Sequence, residues 1–130
     1  MNIQEYQKLA ARTLPRLSNE QEDIQHMLFG MMTELGELVD TYKKHYAYGK
    51  ELDMVNVMEE MGDIMWYWAG MCSITGVNPS AALQTNITKL LVRYPEKFEK
   101  ELALTREVEQ EIKAIVSKRE ELQYGDEEED

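Results

Sequence analysis

The chain has 130 residues, 43% hydrophobic and 30% charged, which fits one globular domain with a sizeable core. No apolar run approaches the roughly 20 residues that span a bilayer, and no basic stripe stands out for a duplex, so membrane and duplex nucleic acid are both set aside as partners. The net charge is −11, but seven acids lie in the last eleven residues, EELQYGDEEED; without them it becomes −4, a mildly acidic body with a solvated end.

The N-terminal MNIQEYQKLAARTLPR lacks the apolar centre of a signal peptide. Residues 2–14 read as a first helix that Pro15 ends. Ser18 or Asn19 caps a second, since each has a Gln or Glu three residues on. Its apolar period (Ile24, Met27, Leu28, Met31, Leu35, Leu38, Tyr42) carries it to about Tyr46. AYGKELD reads as a loop, and Asp53 caps a third helix that ends near Thr75-Gly76. Cys72 falls in that helix as a core thiol, with no second cysteine for an intramolecular disulfide, which points to a reducing, cytoplasmic setting. Asn78-Pro79 opens a fourth helix that runs to about Arg93, before Pro95. Residues 103–122 read as one last charged helix.

No segment alternates with period two for long enough to form a strand. The expected class is all-α, with a four-helix-bundle-like core and additional N- and C-terminal helices. The expected organisation is a core over residues 1–98, a charged C-terminal helix over 99–122 and an acidic, disordered tail over 123–130.

Three stripes carry chemistry. On the third helix Glu60 and Asp63 share a face with Asn56 and Tyr67, beside Val57, Ile64 and Met71. On the second, Glu34 and Glu37 are again three apart and border Met27, Met31, Leu38 and Thr41. On the fourth, Asn86, Lys89 and Arg93 line up, a set suited to an anionic, oxygen-rich ligand such as phosphate. A single ExxE pair is more often a solvated face than a site. Two such pairs embedded in apolar stripes, with a cationic third, are harder to assign to chance. Four converging carboxylates need protons or a cation, and an all-oxygen ligand set favours Mg²⁺, Mn²⁺ or Ca²⁺ over zinc. A di-iron carboxylate bundle needs Glu-x-x-His from two helices, whereas here His26 has only Asp23 three before it and His45 has no such acid. The methionines of the second and third helices read as adaptable core, and the aromatic side chains near the motifs as core or oligomer interface.

ELGE, then EEMGD about two dozen residues later, then NITKLLVRYP, resembles the MazG-like all-α nucleoside triphosphate pyrophosphohydrolases, over roughly residues 2–98. The resemblance implies hydrolysis of a (d)NTP to (d)NMP and pyrophosphate. It implies that Glu34, Glu37, Glu60 and Asp63 hold Mg²⁺, with Mn²⁺ as a substitute, and serve catalysis. It implies that Asn86, Lys89 and Arg93 meet the nucleotide and its phosphates, and that the chain forms a homodimer or homotetramer. Two other readings compete: a non-catalytic helical interaction module that kept the fold, and a pyrophosphohydrolase of another phosphoanhydride, such as a phosphoribosyl nucleotide or an alarmone.

Overall fold

Capping residues place the helix starts. In the computed structural model, which describes residues 1–124, Asn2 accepts from the Glu5 N–H at 2.9 Å and Glu5 returns to the Asn2 N–H at 2.8 Å, opening α1 (Ile3–Ala11). The helix stops at Ala11, three residues before the expected end. Arg12, Thr13 and Leu14 instead make tight bonds to the carbonyls three back, and Pro15 follows.

Helix α2 (Glu20–Tyr48) is capped by Asn19, which accepts from the Glu22 N–H at 3.0 Å; Glu22 reaches past the cap to the Ser18 N–H. It closes on Gly49, whose φ of 66° is a left-handed conformation that glycine adopts without strain. Asp53 caps α3 (Met54–Thr75) through the Asn56 N–H, and Gly76 at φ 70° ends it. Then come α4 (Pro79–Arg93), α5 (Lys100–Leu104) and α6 (Val108–Tyr124). The all-α class is borne out, with six helices and no strand among the described residues. Of the expected tail, residues 123 and 124 belong to α6, and 125–130 lie outside the described residues.

The single helix expected over 103–122 is a correction. Thr105 leaves helical geometry and turns its hydroxyl back onto the Glu101 carbonyl at 2.9 Å. The chain restarts only at Val108. Nothing in the local composition marks the break. What accompanies it is Arg106, turned toward Glu111 on α6.

The chain forms two compact units, Met1–Asn78 and Pro79 onward. In the first, the five residues between α2 and α3 return the chain as an antiparallel hairpin: Gly30 lies against Tyr67 near one end, Thr41 against Asn56 near the other. Both approaches depend on small groups. A Cβ at Gly30 would fall 2.0 Å from the Tyr67 ring, and one at Gly70 would fall 2.4 Å from the Met27 sulfur. Met27, Val57, Ala69 and Cys72 form the buried apolar core, and α1 packs on α3. Burial pushes the Cys72 thiol above its ordinary pKa, as expected for a core cysteine. In the second unit, α4 packs on α6.

Candidate functional site

The α2–α3 hairpin brings three of the four expected acids together. One carboxylate oxygen each from Glu34, Glu37 and Glu60 lies within 4.8 Å of the others. Glu60 is buried, Glu34 half-buried and Glu37 exposed. Asp63, one turn beyond Glu60 on α3, is exposed and outside this triple, but its charge still reaches Glu34.

Glu60 is 4% exposed, so its orientation must come from protein. The Asn56 amide donates to its Oε1 at 2.6 Å. The Asn56 carbonyl oxygen meets the buried Thr41 hydroxyl, which also lies 3.1 Å from the Glu37 carbonyl. A short chain of polar groups thus runs from the α2 backbone to one oxygen of Glu60. Asn56 was placed on this stripe by helical spacing, but its role as the partner of Glu60 was not legible there.

The cluster is short of positive charge. Glu34 has its pKa raised, by burial first, then by repulsion from Glu37 and Asp63, and by a hydrogen bond and repulsion from Glu60. At this spacing two ionised carboxylates repel by roughly 3 kcal/mol at an effective dielectric near 20, less where Glu37 meets water. None of the described lysines or arginines pairs with these acids. Two phenols border the cluster instead. Tyr67 is raised by burial and then by Glu34 and Asp63, and Tyr6 of α1 by burial and then by Asp63, so both keep their protons. Tyr67, expected on the acid stripe, packs its ring between Trp66 and His26 and over Gly30. An uncompensated all-oxygen donor set on two helices fits a hard divalent cation.

The α4 stripe has three different environments. Asn86 is exposed. Lys89 is half-buried and makes no ion pair among the described residues. Arg93 is held: its Nε and Nη2 donate to Glu111 Oε1 and Oε2 at 2.7 and 2.8 Å. Arg106 adds Nε and Nη2 to Glu111 Oε2 at 2.9 and 2.7 Å. Glu111, only 1% exposed, has its pKa lowered to about 2 by the Arg93 hydrogen bonds first and those of Arg106 second. Glu111 was not singled out from sequence, yet a signal existed. It shares a helical stripe with Ile115, Lys118 and Leu122, which are half-buried, so it is an acid on an inner face, as Glu60 is.

Asp23 is a third buried carboxylate, 2% exposed, and the acid three before His26. The Leu17 N–H at 2.6 Å and Arg16 Nε at 2.8 Å occupy both its oxygens, pinning the loop after α1 to α2. Its pKa is lowered, by the Leu17 N–H first. That engagement leaves the Asp23–His26 pair without a free carboxylate for metal.

Three acidic side chains thus face one another between two antiparallel helices of an all-α chain. Residues 22–98 match the model of the MazG nucleotide pyrophosphohydrolase domain, and the chain belongs to that family. The match takes in ELGE, EEMGD and NITKLLVRYP. No curated protein and no solved structure matches the chain.

Proposed function

We propose that the chain is a divalent-metal-dependent nucleoside triphosphate pyrophosphohydrolase, converting a (d)NTP and water to (d)NMP and pyrophosphate. The observation that carries this reading is the buried Glu60 among Glu34 and Glu37, three carboxylates with no protein cation among the described residues, in a chain of the MazG family. Glu34, Glu37 and Glu60 would hold the ion, with Asp63 joining from the next turn of α3. When bound, Mg²⁺ or Mn²⁺ supplies charge neutralisation for the polyphosphate and Lewis acidity at the phosphorus under attack.

The chain's own residues do the rest. Asn56 fixes one oxygen of Glu60 and leaves the other for the ion. Of the four acids, Glu37 and Asp63 are the exposed ones, and one of them takes the proton of the attacking water. Lys89 and Asn86 meet the phosphates and sugar as donors, and Arg93 joins them through whatever edge Glu111 leaves open. No covalent intermediate is invoked, because no nucleophile–base pair is assembled among the described residues.

A second copy of the chain is the proposed partner. Met32, Leu35 and Val39 on α2 and Met54, Met58 and Met61 on α3 are each more than half exposed. Apolar side chains at helical spacing on two adjacent helices exceed the scattered hydrophobics of a monomer surface. Alongside them Leu38, Tyr42 and Tyr46 line an apolar groove of about 580 Å³ that is lined by α2 residues alone. Dimer or tetramer by light scattering, and a monomer for Met58→Glu, is the expected result. Cytoplasmic residence is proposed with it, on the free buried thiol of Cys72.

The activity is tested by assaying pyrophosphate release from a panel of canonical and modified NTPs and dNTPs, with Mg²⁺ and then with EDTA. Metal-dependent pyrophosphate and NMP are expected, and the ranking of substrates names the base. Orthophosphate and NDP would overturn the bond assignment. No product from any nucleotide would favour the interaction-module reading, and product only from a phosphoribosyl nucleotide or an alarmone would favour the third.

A further inference from the structure

Arg93 is expected to contact phosphate, yet both hydrogen bonds of its Nε–Nη2 edge go to Glu111. Glu111 lies on α6, thirteen residues beyond the end of the matched family segment. The arrangement differs from a simple neutralised pair in two ways. Two guanidiniums converge on one carboxylate, so the cluster keeps one net positive charge. Glu111 also grips Arg93 from the side. The Nη1 end of Arg93 carries no ion pair among the described residues; the guanidinium has the Tyr94 side chain as its other hydrogen-bonding neighbour, and the side chain remains 17% exposed.

A free arginine side chain loses several rotatable bonds when it engages an anion, and a planar fork held by one edge has already lost them. Arg106 is what allows Glu111 to serve this purpose. With Arg93 alone, Glu111 would cancel its charge; with Arg106 on the same Oε2, an excess of cation is left to attract an anion. The Arg93 guanidinium also sits 5.7 Å from the Tyr94 ring centre, and Tyr94 in turn packs against Phe98, which limits the other side of the fork.

We propose that Glu111 is a positioning residue for substrate binding: it and Arg106 fix Arg93 by its Nε–Nη2 edge so that the Nη1 edge meets a phosphate oxygen of the nucleotide. This rests on the pyrophosphohydrolase reading and extends it to a helix that the family match does not reach. The rival account is purely architectural, with the three side chains serving only to tie α6 to α4.

Steady-state kinetics of the full chain separate them, using the best substrate of the wild-type panel at saturating Mg²⁺, with a thermal melt of each variant. Glu111→Gln is expected to raise KM roughly tenfold with a much smaller change in kcat, since ground-state binding is what is lost. Glu111→Asp, which keeps the charge, is expected to recover part of that KM. The deciding variant is the triple charge reversal Arg93→Glu, Arg106→Glu and Glu111→Arg, which rebuilds the three-residue cluster with one guanidinium between two carboxylates while taking the cation off α4. It is expected to recover the melting temperature lost by Glu111→Gln but leave KM high. Recovery of KM together with the melting temperature would overturn the proposal, as would a folded Glu111→Gln with wild-type KM. If Glu111→Gln does not fold, the reversal decides alone. A wild-type chain that turns over no nucleotide overturns the activity reading and this proposal together, whereas an active wild type with indifferent variants overturns only this one.

Discussion

Two buried glutamates, one in each compact unit, resolve the same physical problem in opposite ways. Glu60 on α3 is 4% exposed and has an amide for a partner and carboxylates for neighbours. Glu111 on α6 is 1% exposed and accepts four hydrogen bonds from two guanidiniums. Burial alone therefore says little about role. The second carboxylate already has its cations and shapes its unit. The first has none among the described residues, and under the proposed function a divalent cation takes that place.

The sharpest way to break this contrast is to neutralise each carboxylate without changing its shape. Glu60→Gln is expected to lower pyrophosphate release at least roughly a hundredfold, as loss of a group that supports the reacting charge does. It is also expected to raise the melting temperature of metal-free protein, because like-charge repulsion is relieved. Glu111→Gln is expected to lower the melting temperature, because two guanidiniums lose their anion. Equal signs in the two melts would erase the distinction.

Metal is the next lever. At a hundredfold excess over its dissociation constant, Mg²⁺ is expected to stabilise the wild type by about 2.7 kcal/mol per site. Glu60→Gln should show little of this, and Glu111→Gln all of it; calorimetric melts with Mg²⁺ and with EDTA give the comparison. A smaller effect follows from the polar chain behind Glu60. Asn56→Ala is expected to weaken metal affinity by roughly 10- to 100-fold, as loss of an outer hydrogen bond to a metal ligand does, and titration calorimetry would report it.

The gentlest lever is pH. Glu111's folded pKa of about 2 lies below its ordinary 4.5, so the unfolded chain binds that proton more tightly. Its contribution to stability is fully present above pH 4.5 and is lost as pH falls through about 2. Glu34 is displaced the other way, so metal-free folded protein loses stability as pH rises above its ordinary 4.5. Denaturant melts between pH 2 and 7 in EDTA are expected to show an acid-side loss that Glu111→Gln removes and an opposing slope that Glu34→Gln removes.

The course of α2 and α3 was legible because local chemistry and periodicity agree there. Asn19 and Asp53 cap where they stand, Gly76 ends α3, and acids spaced at three share a face. The same spacing put Glu34, Glu37 and Glu60 within reach of one ion. It did not distinguish Asp63, whose place outside the triple depends on how the helices cross. The break at residues 105–107 was hidden for a related reason. Its most evident anchor is Arg106 reaching Glu111, a contact that no helical propensity contains. The grip of Glu111 on Arg93 spans two helices, and its only trace in sequence was an acid on the inner, half-buried stripe it shares with Ile115, Lys118 and Leu122.

The contact between Gly30 and Tyr67 bears on descent as well as on folding. The ring stands where the first side-chain carbon of any other residue would go, and Trp66 and His26 border it, with ring centres 4.9 and 6.0 Å away. The constraint runs one way: a larger residue at 30 becomes tolerable only in a lineage that has first given up the ring at 67. Because Tyr67 also stands beside Glu34 and Asp63, that order of events ties the history of a bare spot on α2 to the history of the acids themselves.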